Sequence, residues 1–134
     1  AGATVVTTYL LPDMNLKLRP KLLALAAHDN VAVKVSGACT LAKQPYPFPD
    51  IWDPLARVFD AWGFERCLWG TDWTRAFAVV NYEQAVVPFL ETKRLSASER
   101  AMLMGGACAK AIAPRQAETR ARRNRRMEPP STGL

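Results

Sequence analysis

An α/β fold with parallel strands is what this sequence predicts, and three observations carry that reading. Short β-branched runs alternate with helical stretches through the first 114 residues. The stretches between successive β-like runs are long enough for the crossovers that parallel strands need, which are right-handed as a rule. Prolines and glycines fall between those runs rather than inside them, as at Pro20, Pro54 and Gly63.

Each element has its own justification. Val5 and Val6 followed by Thr7, Thr8 and Tyr9 predict a short strand that stops at Pro12. Beyond Arg19-Pro20, the residues Leu22, Leu23, Leu25, Ala26 and Ala27 predict a helix of two turns, with Pro20 in its first turn and Asp29-Asn30 closing it. His28 sits at that closing end, where the helix dipole favours it, and reads as a helix-terminal residue rather than a ligand. The run Val31 to Gly37, with valines at alternate positions, predicts a second strand.

From Lys43 to Pro54 four prolines are interleaved with Tyr46, Phe48 and Trp52, which predicts a stiff loop. Asp53-Pro54 then opens a helix carrying Leu55, Val58, Phe59 and Trp62 at helical spacing, and Gly63 ends it. Arg66 to Gly70 is a third strand that runs into Thr71-Asp72-Trp73. A helix is expected over Tyr82 to Leu90, and another from Ser96, whose spacing to Glu99 matches a capping box. That last helix places Ala101, Met102 and Met104 near one face, is broken at Gly105-Gly106, and is followed by a short one over Ala107 to Ile112. No internal repeat is visible. Three strands are few for a parallel sheet that needs both faces covered, so the chain reads as part of something larger.

Composition narrows the function classes. Apolar residues make up 49% of the 134 residues and charged ones 22%, a globular balance. Charged residues interrupt every apolar run well short of the ~18 residues of a membrane span. With neither a basic leader nor an initiator Met at Ala1, the expected setting is the cytoplasm. Cys39, Cys67 and Cys108 are an odd number without a CxxC pair, which argues for reduced, mostly buried thiols and against a zinc knot. One histidine cannot make a His-rich metal site. The net charge of +6 is concentrated at the end, where residues 115–134 carry six arginines against Glu118 and Glu128. Poor in large apolar side chains, that tail is expected to be disordered. Without interleaved aromatics or a reading fold, it is a solvated terminus sooner than a nucleic-acid arm.

The most informative position is Asp72, an acid directly after an apolar strand, at the strand end where α/β folds carry their sites. A carboxylate there can ligate a metal or accept a proton from an attacking water. The plain alternative is a cap on the following segment, or a pair with Arg75. Lys34 and Ser36 close the preceding strand and would offer a cation and a hydroxyl to an anionic substrate, unless Lys34 is a simple edge lysine. The four tryptophans read as core or pocket wall, with Trp73 the one beside Asp72. No Gly-rich phosphate loop, nucleophile elbow or His-containing triad occurs.

Three strings carry a family resemblance: Asn30 to Gly37, Trp62 to Trp73, and Leu103 to Lys110. Together they resemble the last third of the amidohydrolase-related family. These are TIM (β/α)8-barrel hydrolases and decarboxylases of a metal-dependent superfamily, including the 2-pyrone-4,6-dicarboxylate lactonase and aminocarboxymuconate semialdehyde decarboxylase types. The match spans about residues 30 to 112 and is most specific at Trp69-Gly70-Thr71-Asp72-Trp73.

The resemblance implies a partial barrel over residues 1–114, with strand six near Val5 to Leu11, strand seven over Val31 to Val35 and strand eight over Arg66 to Gly70. Asp72 would be the catalytic carboxylate, activating water or binding a divalent metal, Zn or Mn, in the complete enzyme. Lys34, Ser36, Trp73 and Arg75 would hold a small carboxylated lactone or ring-derived acid. The chain departs from the family in lacking its strand-one histidine pair and strand-five histidine. It also offers Tyr9 where the strand-six histidine would fall, and Thr74 in place of a usual proline. The expectation is a C-terminal fragment that binds no metal alone, is inactive, and is poorly stable by itself unless it oligomerises or joins a complementary fragment. The competing reading is a small basic α/β interaction module whose Arg-rich tail binds nucleic acid or an acidic partner.

Overall fold

The computed structural model describes residues 20–111, and the strand expected over Val5 to Tyr9 and the stretch 115–134 lie outside them. The first described element is helical over 20–26, here α1, in the region where the sequence predicts a helix. His28 stands just past its end and contributes through its backbone: its N–H donates to the Leu25 carbonyl at 3.1 Å, and its own carbonyl accepts from Val31 N–H at 3.1 Å.

β1 spans Val33–Ser36 and β2 spans Cys67–Gly70. They pair in parallel, with Val33 opposite Cys67, Lys34 opposite Leu68, Val35 opposite Trp69 and Ser36 opposite Gly70. β1 is shorter than the apolar run that predicts it because the chain turns at both ends: Val31 is tied back to His28, and Gly37 adopts φ +64°.

Strand alternation gives this small sheet two different faces. Val33, Val35, Cys67 and Trp69 point to one side and join the hydrophobic core. α2, Trp52–Trp62, fills that side with the buried residues Trp52, Leu55, Phe59 and Trp62, at the helical spacing read from the sequence. Its end is fixed by Gly63, whose N–H donates to the Phe59 carbonyl at 2.8 Å. Arg66 then stitches two helix ends together, its Nε donating to the Trp62 carbonyl and its Nη1 to the His28 carbonyl, each at 2.9 Å.

The chain between β1 and α2, which includes most of the stiff loop expected from Lys43 to Pro54, is not irregular throughout. It contains two 3-10 turns, Ala38–Leu41 and Pro49–Ile51, and buries Phe48 and Ile51. A four-residue helix, α3, covers Trp73–Ala76, and α4 covers Tyr82–Glu91 with a capping box formed by Asn81 and Gln84. Phe89 of α4 is 2% exposed and meets the rings of Trp52 at 5.3 Å and Trp69 at 5.7 Å, joining helix, helix and strand.

α5, Ala97–Ala101, starts with the expected Ser96 and Glu99 capping box. The expected break lies just beyond it. The glycines break the helix as expected: Gly105, at φ 178° and ψ −31°, is non-helical and kinks the chain, and helical structure resumes over 107–111, here α6. The buried residue there is Leu103, 1% exposed, whereas Ala101 is exposed and Met102 and Met104 are half-buried. No helix among the described residues is long and apolar enough to cross a membrane.

Candidate active site

The second face of the sheet, carrying Lys34, Ser36, Leu68 and Gly70, takes no part in the core. Lys34 is exposed and the other three are half-buried. An ideal Cβ built on Gly70 would lie 3.1 Å from Lys34 Cε, 3.8 Å from its Nζ and 3.6 Å from Ser36 Cβ. The lysine therefore reaches across from β1 and lies over β2, beside Ser36. Both expected substrate-binding groups of β1 are on one face, at one strand end.

The strand ends stay together past the last ladder pair, where Gly37 N–H donates to the Gly70 carbonyl at 3.2 Å. Beyond Gly37 the Thr40 hydroxyl donates to the Gly37 carbonyl at 2.7 Å, pinning the turn. On the other strand Asp72 adopts φ 51° and ψ 50°, a left-handed conformation uncommon for a residue with a side chain. Holding it there costs on the order of 1 kcal/mol, and such residues concentrate at functional sites. Its carbonyl accepts from Arg75 N–H at 2.9 Å and Ala76 N–H at 3.0 Å, which starts α3.

The plain roles considered for Asp72 are not found. It stands at the N-cap position of α3 but its side chain makes no cap bond. Among the described residues it forms no ion pair, so Arg75 touches it through backbone alone. Its half-buried carboxylate lies over Gly37, where a Cβ would be 3.1 Å from Asp72 Cβ and 3.3 Å from its Oδ2. The carboxylate is thus held by backbone geometry while both its oxygens remain unpaired among the described residues.

Trp73 is 41% exposed, with the Tyr82 ring at 5.4 Å and the Phe77 ring at 6.4 Å. Tyr82 and Phe77 are also exposed, so three aromatic rings gather immediately after Asp72. Arg75 is exposed on α3. Sequence reasoning missed Phe77 and Tyr82 because neither sits in a motif, and it missed Gly37 because its importance depends on what lies opposite. Cys39 and Cys67 are buried and free, and Cys108 is exposed and free. Burial raises the Cys39 thiol and pushes Cys67 up to about 11 despite the nearby Arg66 charge, so neither is a thiolate nucleophile at neutral pH. A groove on the helical side, lined by Trp52, Phe59, Asp60, Phe64 and Leu95, shares no residue with the set at the strand ends.

A metal needs more than this set provides. Among the described residues no group of three His, Cys, Asp or Glu side chains could hold one. Asp72 alone would be a single ligand where Zn takes three or four, so the described residues do not fit a metal site by themselves.

The free carboxylate stands at the C-terminal end of a parallel strand, the edge where α/β folds carry their sites. The amidohydrolase family model matches residues 16–111, and the chain belongs to that family, whose members generally use divalent metals. It is similar to an L-fucono-1,5-lactonase of Burkholderia multivorans, 33% identical over 110 residues, which are 76% of this chain and 37% of that protein. It is also similar to the crystal structure of an amidohydrolase from Burkholderia multivorans with bound HEPES. The TM-score is 0.62 at 30% identity, over 73% of this chain and 37% of the other. The chain therefore spans a little over a third of the length of each of these relatives.

Proposed function

We propose that this chain provides the C-terminal part of a (β/α)8 amidohydrolase site, in which Asp72 activates water for attack on a small carboxylated lactone or ring-derived acid. On this reading β1 and β2 are neighbouring barrel strands, and Lys34, Ser36, Leu68 and Gly70 face the barrel interior. The observation that carries the reading is the Asp72 carboxylate, placed at the strand end at a conformational cost and left without an ion pair among the described residues. The lactonase relative supports the lactone class.

The chemistry follows from the groups present. Asp72 accepts a proton as water oxygen adds to the lactone carbonyl carbon. The ring C–O bond breaks, and the proton returns to the leaving alkoxide to give the hydroxy acid. The Lys34 ammonium and Ser36 hydroxyl lie together and bind the substrate's carboxylate or the developing negative charge. Trp73 supplies a flat wall for the ring and Arg75 a second cation at the rim. The remaining strands come from a complementary segment, and the chain by itself does not turn over substrate.

A chimera tests this. Residues 16–111 replace the matching part of the Burkholderia lactonase, and L-fucono-1,5-lactone hydrolysis is followed. Turnover is expected, reduced by ~10²-fold or more by Asp72→Asn. Undiminished turnover in Asp72→Asn, or enzyme-like rates from the chain alone, would sink the proposal.

A further inference from the structure

We propose that Gly37 is a positioning residue for Asp72: its missing side chain is the seat in which the carboxylate stands. The catalytic consequence rests on Asp72 being the water-activating group, while the placement itself does not.

Three observations converge on Gly37. Its φ of +64° is one that residues with a side chain rarely adopt. Its N–H is committed to the Gly70 carbonyl and its carbonyl to Thr40, so the residue cannot rotate away without breaking the tie between the strand ends. A Cβ at this position would press on Asp72 Cβ at 3.1 Å and Oδ2 at 3.3 Å. The Asp72 Cβ is fixed by its own backbone, which α3 holds through the Arg75 and Ala76 amides. It cannot yield without moving the carboxylate.

Gly70 provides the internal contrast. A Cβ there also meets an atom at 3.1 Å, but that atom is Lys34 Cε, near the end of a flexible chain that can swing aside. Gly70 also lacks a positive φ. Two glycines with equally close contacts therefore differ in what stands opposite. One faces a stiff acid and the other a mobile base.

The test is a double-mutant cycle in the full chain, with Gly37→Ala, Asp72→Gly and the pair, and with Gly70→Ala for comparison. Unfolding is followed at the tryptophans, and the Asp72 carboxyl carbon is followed by NMR. Gly37→Ala is expected to lower the melting temperature by about 5–10 °C. In the Asp72→Gly background the same change should cost less than half as much, since only the strain of residue 37 remains. The Asp72 carboxyl resonance should shift in Gly37→Ala while those of Asp50, Asp53 and Asp60 stay in place. Gly70→Ala should move the melting temperature by under ~2 °C.

Equal losses in both backgrounds, or an unmoved Asp72 resonance, would overturn the proposal. If Gly37→Ala does not fold, adding Asp72→Gly should restore folding, and failure to do so counts equally against it. In the lactonase chimera Gly37→Ala should lower kcat by about 10–100-fold with little change in KM. If Asp72 has no role in hydrolysis, the chimera shows no Asp72 dependence while the cycle still shows coupling, so the two ideas fail separately.

Discussion

The two faces of the β1 and β2 ladder contrast sharply over only four residue pairs. On one side Val33, Val35, Cys67 and Trp69 are packed among helices, with Cys67 wholly buried and Phe89 joining Trp69 to Trp52. On the other side Lys34, Ser36, Leu68 and Gly70 lie outside the core, and Asp72 follows at the same strand end. The first face is organised by removal of apolar area from water, which is indifferent to the direction of any one atom. The second is organised by glycines, positive φ and backbone hydrogen bonds, which aim particular charges. Packing and charge are thus divided between alternate residues of the same strands.

That division can be broken most severely from the packed side. Phe89→Ala should cost about 3–5 kcal/mol and leave the chain largely unfolded, read as loss of the cooperative tryptophan transition. Cys67→Ser buries a hydroxyl without a partner beside the sheet and should cost ~1–3 kcal/mol by chemical denaturation. The thiols report the same asymmetry: alkylation of the native chain at neutral pH should reach Cys108 quickly, and Cys39 and Cys67 only after denaturant is added.

The helix cap at Ser96 is intermediate in size, and Ser96→Ala should cost ~1 kcal/mol. Bonds from the Ser96 backbone and hydroxyl hold the Glu99 carboxyl below its ordinary value of 4.5. The cap contribution is therefore fully present above that pH and declines as pH falls through the lowered value. Denaturation midpoints between pH 6 and pH 3 should fall less in Ser96→Ala than in the parent chain. Smallest of all, Lys34→Ala on the open face should change stability by no more than about 0.5 kcal/mol. In the lactonase chimera the same substitution should weaken substrate binding. A large stability loss from Lys34→Ala would mean that the open face is structural after all.

Much of this was legible in the sequence where the signal is local. Valine alternation located β1, Leu55, Phe59 and Trp62 located α2, and the Ser96 to Glu99 spacing located a cap that the structure reproduces. Asp72 was legible as a candidate because an acid directly after an apolar strand is a local pattern. The two faces of the ladder were not, since they depend on the cross-strand register that sets Lys34 over Gly70 and Asp72 over Gly37. Leu103 escaped for a simpler reason: it is flanked by apolar Met102 and Met104, so spacing alone does not single out the side chain that enters the core. Short helices such as α3 escaped because four residues carry too little periodicity to be read.

The left-handed backbone of Asp72 also has an evolutionary consequence. Glycine at this position would remove the conformational cost, so selection for stability alone favours losing the acid. Under the role proposed for Asp72, a lineage released from the reaction would drift toward glycine or asparagine here and gain stability as it did so. Under that role the residue at position 72 would record, across sister chains, which of them are still held to the chemistry at a cost to their fold.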